Sequence, residues 1–180
     1  MRRKLFDIRI ASVLFGVLAL VLGLVPTAQT AEPKATISQA ISITVDPSVT
    51  LDQLITQGHY DLVDPWVRQY LTLSVSQGAE RKEEAFLFSY DVPVTSDYIL
   101  TDMESQGFRP ATARELLSLS AQHKELQENY TTIVAFGTAV LVHGGRRVAC
   151  LFRGASQRGL TLRWYGGGWY RRCRFLAFRK

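Results

Sequence analysis

Arginine and aromatic side chains interleave through the last part of the chain, and this mixture suits the binding of phosphate, carboxylate or aromatic groups. Along the run LTLRWY, residues 160–165, alternation places Trp164 on one face with two leucines, and Arg163 and Tyr165 on the other. One face belongs to the core, and the other forms a basic-aromatic strip that Arg172 and Arg174 can extend from the neighbouring strand. We therefore predict a ligand-binding surface formed by Arg163, Trp164, Tyr165, Trp169, Tyr170, Arg171 and Arg172.

Charge is distributed unevenly along the chain. Residues 32–128 contain 7 basic and 15 acidic residues, whereas residues 129–180 contain 10 basic residues and no acidic residue. Such an asymmetry predicts an anionic partner for the basic segment, or else two halves that attract each other within one fold. In the second case the arginines are solvated or neutralised by the acidic half.

The N-terminus has the pattern of an export signal. Four basic residues within the first nine positions precede an apolar run over residues 10–25. Sixteen helical residues span roughly 24 Å, which is short of the roughly 30 Å hydrocarbon core of a membrane. We therefore predict a signal peptide over residues 1–31, and hence a secreted, periplasmic or cell-surface protein, with an uncleaved signal anchor as the alternative.

No catalytic or metal-binding signature is present in the sequence. None of the serines lies in a G-x-S-x-G elbow, and His59, His123 and His143 do not have ligand spacing. The carboxylate pairs Asp61/Asp64 and Glu83/Glu84 lie in polar, surface-like sequence. We therefore predict no catalytic residue, no metal and no cofactor, and an enzyme is disfavoured.

The two cysteines, Cys150 and Cys173, are predicted to form a disulfide because the chain carries an export signal. Closing a loop of this length stabilises a fold by roughly 3 kcal/mol. Two buried free thiols are the alternative.

Capping patterns predict three short helices. Thr50 with Gln53 begins the first, which Gly58 ends; Thr95 or Ser96 begins the second, which Gly107 ends; Thr112 with Glu115 begins the third. Between the first two, the segment around Pro65 is predicted to be irregular, because proline disfavours a helical conformation in the residue before it.

Strands are predicted at residues 41–45 and 85–92, and then in five short runs after residue 131 that are separated by glycine-bearing turns. Strands this close in sequence are expected to pair antiparallel, as a meander. The predicted fold class is α+β, with short helices followed by a C-terminal antiparallel β-meander. The predicted organisation is a signal peptide, a spacer over residues 32–40 and a single domain over residues 41–180.

Three segments carry a resemblance to a known family. Residues 109–116, RPATAREL, resemble an R-x-P-T-x-x-E-W helix entry, with Ala111 in place of the proline and Leu116 in place of the tryptophan. Residues 165–169, YGGGW, are similar to an R-G-G-S-W turn, and residues 178–179 are similar to a closing G-F-R strand. These are segments of C-type-lectin-like domains of the formylglycine-generating-enzyme, or sulfatase-modifying-factor, type.

The resemblance covers roughly residues 85–180. It implies a compact fold whose C-terminal strands and loops present a variable ligand-binding face, a scaffold used for adhesion and receptor recognition. The closely spaced cysteine pair of the oxidising enzymes in this family is absent, so the resemblance does not imply their activity.

Together these features predict an exported, non-enzymatic binding module that presents a basic-aromatic C-terminal face to an anionic glycan, an envelope polymer or a surface protein. Export disfavours nucleic acid as a partner, and membrane contact is expected only through an uncleaved signal anchor. An envelope-tethered structural protein without a small ligand is the alternative function, and an enzyme with an unrecognised site is a third.

Overall fold

The computed structural model describes residues 32–155 and 157–180, and the predicted signal peptide lies outside this part of the chain. The described residues form nine strands and five helices. The strands are β1 (Thr36–Ile37), β2 (Ile41–Val45), β3 (Leu62–Val63), β4 (Arg81–Ser89), β5 (Phe108–Pro110), β6 (Thr132–Val142), β7 (Gly145–Arg153), β8 (Arg158–Trp164) and β9 (Cys173–Arg179). The helices are α1 (Leu51–Gly58), α2 (Pro65–Tyr70), α3 (Ser96–Ser105), α4 (Ala113–Gln122) and α5 (Leu126–Asn129).

All nine strands belong to one mixed sheet, which is consistent with the predicted α+β class. The order is β1-β4-β9-β6-β7-β8-β3, with β2 also paired to β4 and β5 to β9. Strands β6, β7 and β8 pair antiparallel in chain order. Strand β9 does not continue this series, because it pairs parallel with β6 and antiparallel with β4. The prediction of one antiparallel meander running through the last strand is therefore wrong at β9.

Both faces of the sheet are covered, and β9, in the middle of the sheet, contributes side chains to the core on each face. On the first face, α1, α2 and α4 contribute apolar side chains such as Leu54, Val67 and Leu116 to one core. On the second face, Ile99 of α3 packs with an aromatic cluster that includes Phe175 of β9. A continuous apolar run such as CRFLAF can be buried on both faces, as a central strand requires.

The predicted helix starts are confirmed. Thr50 and Gln53 form a capping box at α1, and Thr112 and Glu115 form a second one at α4. Thr95 caps α3 by accepting a hydrogen bond from a backbone N–H of its first turn. Each cap satisfies N–H groups that have no partner within the helix.

The segment around Pro65 is not irregular as predicted, because Pro65 begins helix α2. The Asp64 carboxylate accepts a hydrogen bond from the Trp66 N–H at 2.9 Å. Proline suits the first helical position, where its missing N–H would have no helical partner. Pro65 therefore starts a helix rather than preventing one.

The predicted spacer over residues 32–40 is also corrected. Thr36 and Ile37 pair with the end of β4, and the Ser38 hydroxyl accepts a hydrogen bond from the Leu87 N–H at 3.0 Å. Ala35 and Ile37 pack against the second core. The β-branched pair therefore adds a short strand to the sheet.

The predicted disulfide does not form, since Cys150 and Cys173 are buried free thiols. Cys150 of β7 lies opposite Val134 of β6, and Val134 lies opposite Phe175 of β9, so β6 separates the two cysteines. Two strand spacings amount to about 10 Å between Cα atoms. A disulfide requires a Cα separation below about 7 Å.

Residues 165–172 connect β8 to β9, two strands that run in the same direction but are separated by β6 and β7. Such parallel connections usually contain a helix. Here the connection contains none and is held by its aromatic side chains. We call residues 165–172 the crossover.

Residues Glu32–Lys180 form one compact unit. None of the helices in the described ranges has the length and apolar character needed to cross a membrane.

Candidate anion-binding site

The crossover is anchored by two of the residues predicted to bind ligand. Trp169 is 3% exposed and Tyr165 is 9% exposed, and both rings pack edge-on against Phe136, with centroids 5.4 and 5.7 Å away. The Trp169 backbone exchanges two hydrogen bonds with Val94, at 2.9 and 3.0 Å. Burial leaves these two rings no contact surface for an external ligand.

Ser96, at the start of α3, ties the two aromatic residues together. Its hydroxyl accepts a hydrogen bond from the Trp169 indole N–H at 2.8 Å and donates one to the Tyr165 carbonyl. The Tyr165 hydroxyl donates a hydrogen bond to the Asp97 carboxylate at 2.8 Å. Burial, and to a lesser extent this hydrogen bond, raises the pKa of Tyr165. A polar network therefore fixes the path of the crossover over the sheet.

The other two predicted aromatic residues are exposed, but they lie at different ends of the crossover. Trp164, the last residue of β8, is 59% exposed. Its ring lies close to Gly166, since a Cβ atom added to residue 166 would be 3.0 Å from the nearest ring atom of Trp164. Tyr170 is 67% exposed and precedes β9. The structure therefore does not bring Trp164 together with Tyr170 and the arginines that follow it.

Three arginines line a cleft of about 380 Å³ at the start of β9. We call it the basic cleft, and its lining residues are Arg171, Arg172, Arg174, Asp91, Asn129, Tyr130 and Thr131. Arg171 and Arg172 are exposed, and Tyr170 precedes them in the chain. The parallel pairing of β6 with β9 brings the two halves of this lining together, because Thr132 lies opposite Cys173.

Arg174 is held in place within the basic cleft. Its guanidinium donates hydrogen bonds to the carbonyls of Arg171 and Cys173, both at 3.0 Å, and lies over the Tyr130 ring with its central carbon 4.9 Å from the ring centroid. Cation–π contact and carbonyl bonds fix the side chain but leave its charge uncompensated. The basic cleft therefore combines one ordered guanidinium with two exposed ones.

Few ion pairs join the basic segment to the acidic half among the described residues. Of the nine arginines between residues 129 and 180, none is ion-paired with a carboxylate among the described residues, and only Lys180 is, with Glu104. Several bind backbone carbonyls or aromatic faces instead. Arg153 donates to the Glu128 carbonyl, and Arg146 lies 4.1 Å from the Tyr165 ring centroid. The predicted alternative, in which carboxylates of the acidic half neutralise these arginines, has no ion pair to support it beyond that of Lys180.

Asp91 is the one carboxylate that lines the basic cleft. It makes no ion pair with the neighbouring arginines among the described contacts. An ionised carboxylate only accepts hydrogen bonds. Asp91 therefore adds an acceptor to a surface otherwise rich in donors.

A second cleft, of about 420 Å³, adjoins the first and shares Thr131 with it. We call it the adjoining cleft. Its lining residues are Thr131, Thr132, Phe152, Arg153, Thr161 and Arg163. Arg163 therefore belongs to the adjoining cleft rather than to the basic cleft.

The Phe152 ring lies next to Gly159 of β8. A Cβ atom on residue 159 would approach this ring to 2.1 Å, so only glycine leaves room for the ring.

The structure does not bring the seven predicted residues together. Tyr165 and Trp169 are buried, Trp164 and Tyr170 are exposed at different ends of the crossover, Arg163 lines the adjoining cleft, and Arg171 and Arg172 line the basic cleft. The sequence argument missed Asp91, Asn129, Tyr130 and Thr131. They lie in segments distant in sequence from Arg171, and only the sheet pairing brings them near it, so no local pattern could have indicated them.

The motif at residues 109–116 has a structural role here. The Arg109 guanidinium binds both carboxylate oxygens of Glu115, at 2.8 and 3.1 Å, and reaches Glu83 at 3.1 Å. The bond from Glu115 raises the pKa of Arg109. Glu115 also accepts a hydrogen bond from the Thr112 N–H at 2.7 Å. This cluster orders the start of α4.

The described residues bring together no group of three or more His, Cys, Asp or Glu side chains suited to hold a metal ion. Comparison of the chain with protein-family models, with curated proteins and with solved structures finds no match in any of the three.

Proposed function

We propose that the protein is a non-enzymatic binding module that holds an anionic ligand in the basic cleft. The ligand is an anionic glycan, an envelope polymer or a surface protein that presents carboxylate, sulfate or phosphate groups. The observation that carries this proposal is the convergence of Arg171, Arg172 and Arg174, none of which is ion-paired with a carboxylate among the described residues.

Guanidinium chemistry supports this choice of ligand. Arginine donates two parallel hydrogen bonds to a carboxylate, sulfate or phosphate group, and such charge-assisted bonds are roughly twice as strong as neutral ones. Arg174 is already ordered by Tyr130 and by two carbonyls, so part of the entropy cost of binding is met before the ligand arrives. Arg171 and Arg172 remain free to close on the ligand.

The proposal places the module outside the cytoplasm, as the N-terminal signal pattern predicts. It also keeps a C-type-lectin-like architecture for residues 85–180. In support of that architecture, β4 and β9 pair antiparallel and so close the matched region on itself. The cluster of Arg109, Thr112 and Glu115 is likewise intact.

A binding experiment with a matched charge control tests the proposal. The variant R171Q/R172Q removes two charges from the basic cleft, whereas R68Q/R81Q removes two exposed arginines outside it. We expect the first variant to weaken binding to immobilised uronate, sulfated or phosphorylated polymers by more than about tenfold, and the second by less than about twofold. Urea unfolding should show that both variants fold like the wild type.

Two results would contradict the proposal. Equal losses in the two variants would indicate attraction by net charge alone. Failure of the wild-type protein to bind any carboxylate-, sulfate- or phosphate-bearing ligand would remove the basis of the proposal altogether.

A further inference from the structure

The segments that follow β4 and precede β9 run alongside each other beyond the ends of the two strands. In the antiparallel ladder between β4 and β9, Phe88 lies opposite Phe175. Beyond the strands, Val94 lies opposite Trp169 in an antiparallel bridge. Equal numbers of residues separate the two pairs on the two segments, so both pairs belong to one register.

Asp91 and Arg172 occupy matching positions on these two segments, midway between the two pairs. Both residues are exposed, and both line the basic cleft together with Arg174. Among the described ion pairs, none joins Asp91 to a neighbouring arginine. The basic cleft therefore presents a carboxylate and guanidinium groups side by side without pairing them.

This arrangement favours one kind of anionic ligand over others. A ligand with negative charge alone would bring that charge against the Asp91 carboxylate, and like charges disfavour each other. An ammonium group donates three hydrogen bonds and accepts none, whereas an ionised carboxylate only accepts them. A ligand that carries an ammonium group beside its acidic group therefore converts the repulsion at Asp91 into an attraction.

The sheet indicates how close these two ligand groups lie. Asp91 follows β4, whereas Arg172 and Arg174 flank the start of β9, the neighbouring strand. Neighbouring strands lie about 5 Å apart. The ammonium group and the acidic group of the ligand are therefore a few bonds apart or on adjacent sugars, and a cleft of about 380 Å³ can hold both.

The other side of the basic cleft gives the ligand an orientation. Asn129 and Thr131 precede β6, which pairs with β9 on the side away from β4. Their side chains are uncharged, and each both donates and accepts hydrogen bonds. They suit hydroxyl or amide groups in the rest of the ligand, so the ammonium group points toward Asp91.

We propose, on the basis of the proposed function, that the unit held in the basic cleft is zwitterionic. Its acidic group binds the guanidinium groups of Arg172 and Arg174, and a nearby primary ammonium group binds the Asp91 carboxylate. An amino sugar next to an acidic group has this chemistry, and so does an aminoalkyl phosphate.

Acidic polymers with free amines, each compared with its N-acetylated form, test this inference. The probes are de-N-acetylated chondroitin, N-desulfated heparin and phosphoethanolamine-modified dextran, so carboxylate, sulfate and phosphate groups are all represented. At about pH 6 the free amines are protonated, and N-acetylation removes their charge but keeps the acidic groups. In at least one pair we expect the wild-type protein to bind the free-amine form at least about fivefold more tightly, although that form carries the lower net negative charge.

Three variants assign this preference to its residues. Asp91→Asn should abolish the preference and should bind the N-acetylated form at least as tightly as the wild type does. Glu80→Gln removes an exposed carboxylate outside the basic cleft and should leave the preference unchanged. R171Q/R172Q should weaken the binding of both forms, and urea unfolding should show that all three variants fold like the wild type.

The outcomes separate this inference from the proposed function. Binding of the polymers with a preference below about fivefold in all three pairs overturns the zwitterionic ligand and leaves the basic cleft as an anion site. A preference that survives in Asp91→Asn, or that Glu80→Gln also removes, overturns the role of Asp91. Failure of the wild-type protein to bind any of the six polymers counts against both proposals.

Discussion

The starts of β8 and β9 use arginine in opposite ways. Arg158 begins β8, and its guanidinium donates to the Gly58 carbonyl at 3.0 Å and to the Gln127 side-chain oxygen at 2.9 Å. Arg171 and Arg172, just before β9, are exposed at the basic cleft. In the part of the chain that the structure describes, no carboxylate is ion-paired with any of these three arginine side chains, so charge pairing does not explain the difference.

The difference comes from the neighbouring backbone. Gly58 is the last residue of α1, where helix carbonyls lack partners and the helix dipole is negative, and Arg158 satisfies this end. Asn129, the last residue of α5, also lines the basic cleft, but among the described hydrogen bonds the side chains of Arg171 and Arg172 donate none to this helix end. A buried network holds the guanidinium of Arg158, whereas the exposed side chains of Arg171 and Arg172 stay accessible to a ligand.

The largest expected effect contrasts two adjacent residues of the crossover. Trp169→Ala removes a buried ring and its bond to Ser96, and should destabilise the protein by about 3–5 kcal/mol. Tyr170→Ala removes an exposed ring and should change stability by less than about 0.5 kcal/mol. Urea denaturation measures both values, and similar losses for the two would show that the crossover is not anchored at Trp169.

A second test compares the two kinds of arginine directly. Arg158→Met removes the side-chain donor of the Gly58 carbonyl and one of the two donors of the Gln127 oxygen, which keeps the Ser120 hydroxyl, and should cost about 1–3 kcal/mol in unfolding free energy. Arg171→Met should leave stability within about 0.5 kcal/mol of the wild type, since its side chain is exposed. If Arg171→Met proves the more destabilising, the distinction between fixed and free arginines fails.

A third test measures how the stability of the protein depends on pH through Tyr60, whose ring lies beside the Arg158 guanidinium. The Tyr60 hydroxyl is buried there and meets no hydrogen-bond partner within normal geometry among the described residues, and burial raises the pKa of Tyr60 to about 12. The unfolded chain releases this proton near pH 10 while the folded protein keeps it, so stability falls as the pH rises from about 10 to 12. The contribution is on the order of 2 kcal/mol.

Comparison with Tyr60→Phe isolates that contribution from those of the other tyrosines. The variant should lose less stability than the wild type over this range when both are followed by urea denaturation. Parallel curves for the two proteins would show that the Tyr60 hydroxyl is not buried.

The smallest effect concerns the cysteines, one of which, Cys173, follows Arg172 directly. Burial raises the pKa of both thiols, so neither should react with a thiol reagent in the native protein at pH 8. Both should react after unfolding, and a reducing agent should leave the melting temperature unchanged. A mass lower than that of the dithiol by two hydrogen atoms, or a fall in melting temperature on reduction, would show that a disulfide forms.

Features encoded within a few residues could be predicted from the sequence. Thr112 and Glu115 specify a helix start by themselves, because the side chain of each accepts a hydrogen bond from the backbone N–H of the other. The alternation in residues 160–165 also predicts that Arg163 and Tyr165 share a face. It could not show that Tyr165 is buried, because a second core covers part of that face as well.

Features that depend on distant segments could not be predicted in this way. Tyr130 lies under Arg174 because β6 and β9 pair, and neither segment indicates that pairing by itself. The disulfide prediction failed for the same reason, because the position of β6 between Cys150 and Cys173 is a property of the topology. The outcome at Pro65 is a local feature, and it depends on recognising Asp64 as a cap.

The central position of β9 has a consequence for how the protein matures during synthesis. Its partners, Ala85 in β4 and Thr132 in β6, leave the ribosome well before Phe178 and Cys173 do. Long-range pairings of this kind form slowly, and β4 and β6 present open edges until β9 inserts between them. Because Arg171, Arg172 and Arg174 flank the start of β9, the basic cleft is completed in the same step, and binding of the proposed ligand would report that β9 has inserted.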